Sequence, residues 1–272
     1  MLRSMFAGIS GLRSHQTMMD VVGNNIANVN THGFKSSRAT FQDALYQAQR
    51  GATGGVAADE GGVNPTQIGL GSNIAATDQN FGQGALQPTG RSTDAAITGD
   101  GFFSLDNGNF TRAGTFNWDS AGNLVTPGGD IVQGATGGGD PADLDPINVD
   151  PDLLNSLRDI SIGQDGTITG RDEDGELEEL GQIATVTFVN PNGLNRIGDS
   201  QFAASAASGD PVAGAPGVEG RGGLEGGALE MSNVDLAEEF TGLIMAQRGF
   251  QANARTITTS DELLQELVNI KR

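Results

Sequence analysis

The chain has 272 residues and no cysteine, which excludes disulfides, thiolate metal sites and cysteine nucleophiles. Its formal net charge of −19 is concentrated in residues 51–232, with 26 acidic and 6 basic side chains, against 2 and 5 in residues 1–50 and 6 and 4 in residues 233–272. Nucleic acid and anionic membranes are held by clustered basic groups, so this middle binds neither, and no apolar run approaches the ~20 residues of a membrane span.

Residues 2–29 read as a helix. Leu2, Met5, Ile9, Leu12, Gln16, Met19, Gly23 and Ile26 step by three and four, the spacing of one apolar seam. Gly8, Gly11 and Gly23 each weaken it by about 1 kcal/mol relative to alanine, so alone it is marginal. Arg3, Ser4, Gly8 and Gly11 interrupt the apolar residues of the first turns, which is not the pattern of a cleavable secretory leader. The helix is expected to stop in the asparagine-rich run from Asn24 to Thr31 and at Gly33, residues that tolerate left-handed backbone. Phe34 to Gln49 reads as a short helical or irregular stretch, and Gly51 to Asn64 as a glycine-rich loop.

From Gln67 the apolar period falls to two. Ile68, Leu70 and Ile74 alternate with small or polar residues, Phe110, Phe116 and Trp118 follow, and Asp119 to Gly122 reads as a hairpin turn returning at Leu124. A strand pair is expected around Gln164–Gly166, and Ile183 to Val189 has the composition of a buried strand. Pro141 to Leu157 is irregular, with room for one helical turn. Glycine supplies 42 residues, 36 of them in the middle, and turn signals every eight to twelve residues predict an all-β domain there. Gly209 to Gly227 reads as a returning loop. From Asn233 to Ile270 the helical spacing resumes at Leu236, Phe240, Leu243, Gln247, Phe250, Ala254, Ile257, Leu264 and Val268, with Ser232–Asn233 as the N-cap. Such a helix is about 55 Å long, too long for burial in one small domain, so it needs a partner.

The expected fold is therefore α+β. Residues 1–33 plus 233–272 form a terminal coiled-coil assembly domain, 34–66 connect, and 67–232 form a mainly antiparallel β domain with a small insertion at 134–158. No constellation for catalysis stands out. Gly134 to Gly139 has no following lysine and helix, and is neither a P-loop nor a dinucleotide fingerprint. Asp172 to Gly175 with Glu176, Glu178 and Glu179 suggests a calcium loop but lacks the alternating oxygen ligands ahead of its glycine. The residues predict neither cofactor nor metal, and no enzyme. A calcium-binding secreted β protein remains an alternative.

Three stretches carry a family resemblance. Ser10-Gly11-Leu12 with Met19 to Thr31 and Gly33-Phe34-Lys35 resembles the start of bacterial flagellar rod and hook proteins. Leu229 to Leu236, Ala246 to Asn253 and Thr259 to Leu264 resemble the matching end. Thr93 to Phe103 and Thr111 to Phe116 resemble the central motif. Within that family the match is nearest to hook subunits in a short form, with distal rod subunits the alternative.

The resemblance implies a structural subunit that polymerises into a hollow tube passing motor torque to the filament, flexible in a hook and rigid in a rod. It implies export unfolded through the flagellar type III apparatus to the extracellular hook or basal body. The implied partners are copies of the chain itself, the distal rod, hook cap and hook–filament junction proteins, and the export gate, for which Phe41 and Leu45 resemble the docking segment. The seam residues Leu2, Met5, Ile9, Leu12, Met19, Ile26, Leu236, Phe240, Leu243, Phe250, Ile257, Leu264 and Val268 are the expected assembly surface.

Overall fold

A computed structural model describes residues 2–54, 62–136, 139, 142–172 and 176–270, apart from the side chains of Leu2 and Asn155. Glu173 to Gly175 of the acidic segment, part of the 51–64 loop and part of the Gly134–Gly139 run fall outside the described residues. Three α-helices occur among the described residues, α1 (Leu2–Ala27), α2 (Pro151–Ser156) and α3 (Leu236–Ile270), together with antiparallel strands. The chain divides into two compact units, residues 1–27, 37–79 and 235–272 in one and 28–36 and 80–234 in the other.

The first unit holds the two long helices and a β-ribbon. Strand Ser37–Asp43 pairs with Ser72–Gln79, with a bulge between Thr40 and Phe41, and Tyr46–Arg50 pairs with Thr66–Gly69. The stretch from Phe34 to Gln49 is thus largely strand, not helical or irregular. Its pairing partner lies some thirty residues onward, and a local period carries no trace of so distant a ladder. The boundary drawn between 66 and 67 cuts through this ribbon. α1 is tied to it by Asn25, which donates from Nδ2 to the Ser37 carbonyl (2.8 Å) and accepts from the Ser37 amide (3.0 Å), and by Ser14, whose hydroxyl donates to the Ser72 carbonyl (3.3 Å).

α3 is one continuous helix through the polar stretch Thr256–Ser260. The hydroxyls there bond back into the helix, Thr256 to the Asn253 carbonyl (2.7 Å) and Ser260 to the Thr256 carbonyl (2.7 Å), so they leave no demand for a break. Its N-cap is Asp235, whose carboxylate accepts from the amides of Ala237 (2.8 Å) and Glu238 (3.3 Å). Asn233, the expected cap, is engaged elsewhere: it accepts from the Ser36 amide (2.8 Å) and donates to the carbonyls of Asn80 (2.7 Å) and Gly82 (2.9 Å).

The second unit is the antiparallel β domain. A six-stranded sheet runs in the spatial order 195–198, 201–203, 109–111, 102–104, 185–187, 212–214. A five-stranded sheet runs 145–146, 133–136, 177–183, 167–171, 159–162. The expected hairpins stand where the turn chemistry put them, Trp118 opposite Leu124 and Ile162 opposite Ile168, and α2 supplies the helical turn inside 141–157, capped by Asp150. Successive side chains of a strand point to opposite faces, so Phe102 and Phe103 serve different cores. Phe103 packs edge-on to Phe116 (5.0 Å between centroids) among Ile97, Leu105, Val132, Ile168 and Ile183. Phe102 joins Phe188 and Phe202 (5.9 and 5.6 Å) with Phe110 and Val186 on the other side.

Candidate assembly site

The first unit brings α1 and α3 together along a line of small and polar residues. The hydroxyls of Ser4 and Ser260 lie 3.5 Å apart, and Asn25 donates to the Glu239 carboxylate at 2.7 Å. Between these ends three glycines mark close approach. A Cβ on Gly8 would sit 3.0 Å from Thr256 Oγ1 and 3.2 Å from Ile257 Cγ1, one on Gly11 2.7–2.9 Å from the Asn253 amide group, and one on Gly249 2.4–2.8 Å from the imidazole of His15. Partner numbers rise on α1 as they fall on α3, so the helices run antiparallel. The α1 positions Ser4, Gly8, Gly11, His15, Val22 and Asn25 keep the three-and-four spacing, one position away from the stripe read from the large apolar residues. A seam of glycine and serine lets two backbones come closer than leucine pairs allow.

The larger apolar residues border this seam or face outward. Met5, Leu12, Met19 and Ile26 on α1 and Leu243, Phe250, Ile257 and Leu264 on α3 are half-buried. Ile9, Leu236, Phe240 and Val268 are exposed, as are Phe6, Ile244, Met245, Leu263, Leu267 and Ile270, which lie outside the expected seam. The structure thus leaves on two long helices an apolar surface with no covering in the isolated chain, the condition that marks an interaction face. Glu239 sits at one end of the seam, where burial pushes its carboxyl above the ordinary range, partly offset by the Asn25 hydrogen bond. Phe41 stacks at a tilt on His15 with centroids 5.7 Å apart and is exposed, as is Leu45.

A second arrangement lies within the β unit, at the segments that lead by sequence into α1 and α3. Glu230 is fully buried. Its Oε1 accepts from Lys35 Nζ (2.7 Å) and the Gly84 amide (2.8 Å), and its Oε2 from Arg112 Nε (2.7 Å). Lys35 also donates to the Gly82 carbonyl (3.0 Å), and the Arg112 guanidinium to the carbonyls of Ile97, Gly99 and Gly101. Arg196 donates to the Lys35 carbonyl and lies over the Phe34 ring, 4.8 Å from its centroid. Gly33 has φ +67, and a Cβ there would lie 2.6 Å from the Ala113 amide, so only glycine fits. Burial alone raises the Glu230 carboxyl, but Arg112 and Lys35 outweigh it and hold it below the ordinary carboxylate range. Burial lowers the Lys35 ammonium, with Glu230 opposing. Lys35, Arg112 and Glu230 all stand in the motifs that carry the family resemblance, but spacing gave them no role. The available signal was chemical: a charged residue flanked by Phe34, or by Leu229 and Met231, inside a motif.

Among the described residues no group of three His, Cys, Asp or Glu side chains is placed to hold a metal ion, and no helix is long and apolar enough to cross a membrane.

Three family models match the chain: the flagella basal body rod protein over residues 5–35, the flagellar hook protein FlgE/F/G D1 domain over 96–170, and the flagellar basal body rod FlgEFG protein C-terminal over 225–270. The flagellar basal-body rod protein FlgG of Bacillus subtilis is 48% identical over 276 residues, covering all of both chains, and that of Borreliella burgdorferi is 42% identical over 279 residues, again covering all of both. The flagellar hook protein FlgE of Borreliella burgdorferi is 31% identical over 442 residues, covering all of both. The chain belongs to the flagellar rod and hook family, whose members are structural proteins located in the flagellum.

Proposed function

We propose that this member of the flagellar rod and hook family is a distal rod subunit, one that polymerises with itself into a straight, rigid drive shaft. The observation that carries this reading is the length of the alignments. Rod relatives match the whole of this 272-residue chain in 276 and 279 positions, whereas the hook relatives need 442 and 464. A hook subunit in a short form, the reading favoured by the resemblance of residues 246–272, is the second one.

In the proposed assembly α1 and α3 pair as a coiled coil and line an inner tube, packed on copies of themselves through their outward apolar side chains. Leu236, Phe240, Leu243, Phe250, Ile257, Leu264 and Val268 on α3, with Leu2, Met5, Ile9, Leu12, Met19 and Ile26 on α1, are the proposed assembly surface. The acidic β unit forms the outer layer, where like charge opposes sticking between exposed faces. The Lys35–Glu230–Arg112 cluster suits torque transmission, because it fixes the chain segments entering and leaving the helices to the β core. Neighbouring axial proteins of the rod and hook are the proposed further partners, and the export gate takes the unfolded chain through the segment holding Phe41 and Leu45. Electron microscopy of polymers grown from the purified chain tests the reading. Straight, stiff tubes support a rod subunit; curved, supple tubes assign the chain to the hook.

A further inference from the structure

Past Ser260, which faces Ser4 across the seam, α3 continues to Ile270. The continuing turns carry Leu263, Leu267 and Ile270, which fall on one stripe and are 52, 52 and 80% exposed. Glu262 and Glu266 border that stripe, one turn apart. A second exposed feature lies on α1, on a face other than the seam. Phe6, Ile9, Arg13 and Thr17 line a groove closed on its far side by Asn73 and Ile74 of the ribbon, with Phe6 66% and Ile9 37% exposed. One patch is a convex apolar ridge edged with carboxylates; the other is a concave apolar groove edged with a guanidinium.

We propose that the ridge of α3 in one copy of this chain docks in the α1 groove of a second copy, Leu263 and Leu267 against Phe6 and Ile9, with Glu262 and Glu266 beside Arg13. The proposal rests on the rod reading and deepens it by naming the two surfaces that meet. The charge complementarity selects the occupant: a second groove would set Arg13 against Arg13, and a second ridge would set glutamates against glutamates. Because ridge and groove are different surfaces, the contact is head-to-tail, and repeating it builds an open helical polymer of fixed polarity rather than a closed dimer.

The chain's lack of cysteine makes a direct test available. Full-length Ile9→Cys and Leu267→Cys chains are mixed, assembled and oxidised, beside each chain alone. The proposal expects a disulfide-linked dimer from the mixture only, and a ladder of higher species from the double variant. Homodimers from either single variant, or sedimenting polymers in which the mixture gives no heterodimer, overturn it while leaving the rod reading intact. Chains that do not assemble at any concentration overturn both. Arg13→Glu is expected to raise the critical concentration for assembly by about two- to five-fold, the range of one exposed ion pair, and Glu266→Arg added to it to restore assembly. Failure of the restoring change, with the β unit folded by circular dichroism, also overturns the proposal.

Discussion

Two helical glycines should respond differently to the same substitution, one gaining stability and the other gaining none or losing it. In a helix interior alanine is favoured over glycine by about 1 kcal/mol. At Gly23 nothing lies within 4 Å of the added methyl, so Gly23→Ala should stabilise by about 0.5–1 kcal/mol. At Gly249 the methyl would lie 2.4–2.8 Å from three ring atoms of His15, whose ring rests on Phe41 at 5.7 Å. Overpacking of this kind costs about 1–3 kcal/mol, so after the propensity gain Gly249→Ala should destabilise by about 0–2 kcal/mol. Urea unfolding of the full chain followed at 222 nm reads this well, because among the described residues the α-helix lies in α1 and α3 apart from the six residues of α2. A His15→Ala, Gly249→Ala double-mutant cycle isolates the clash, and its coupling term should approach the size of the clash itself. Equal stabilisation by both alanines, with no coupling to His15, would refute the seam described above.

Glu230→Gln should lower the stability of the β unit by about 3–5 kcal/mol, since it leaves Lys35 and Arg112 buried beside an amide; thermal melting followed by tryptophan fluorescence measures it. Because the Glu230 carboxyl is held below its unfolded value, its contribution is present above the ordinary carboxylate range and is lost as pH falls through the lowered value. The acid limb of the wild-type stability curve should therefore be steeper than that of Glu230→Gln. Asp235→Ala should destabilise α3 by about 1 kcal/mol through loss of its cap, measurable as reduced protection of the Ala237 and Glu238 amides from hydrogen exchange. Asn233→Ala should act instead on the β unit, by loosening Ser36 and Asn80.

Local signals made much of the fold legible. Three-and-four spacing located α1 and α3 to within a few residues, and turn chemistry at Asp119–Gly122 and Gln164–Gly166 located two hairpins. Features that depend on distant partners were not legible. Strand Ser37–Asp43 is specified by its pairing with Ser72–Gln79, and Asn233 looks like a cap until Ser36 and Asn80 are seen to claim its side chain. The seam shows the same limit in another form. Hydrophobic spacing points to the largest side chains, yet Gly8, Gly11 and Gly249 mark the line of closest approach, because a close helix contact is made by what is missing from the side chain. Lys35 and Glu230 were visible as letters in a motif, but their burial against each other across 195 positions was not.

The most direct test of the account is the solvent access of the outward helix face before and after assembly. Met245→Cys places a single thiol on that face of α3, at a position 60% exposed in the isolated chain. Thiol labelling should be fast in the monomer and at least tenfold slower in sedimented polymer. Equal labelling rates in the two states would contradict the claim that this apolar face is the surface through which the chain assembles.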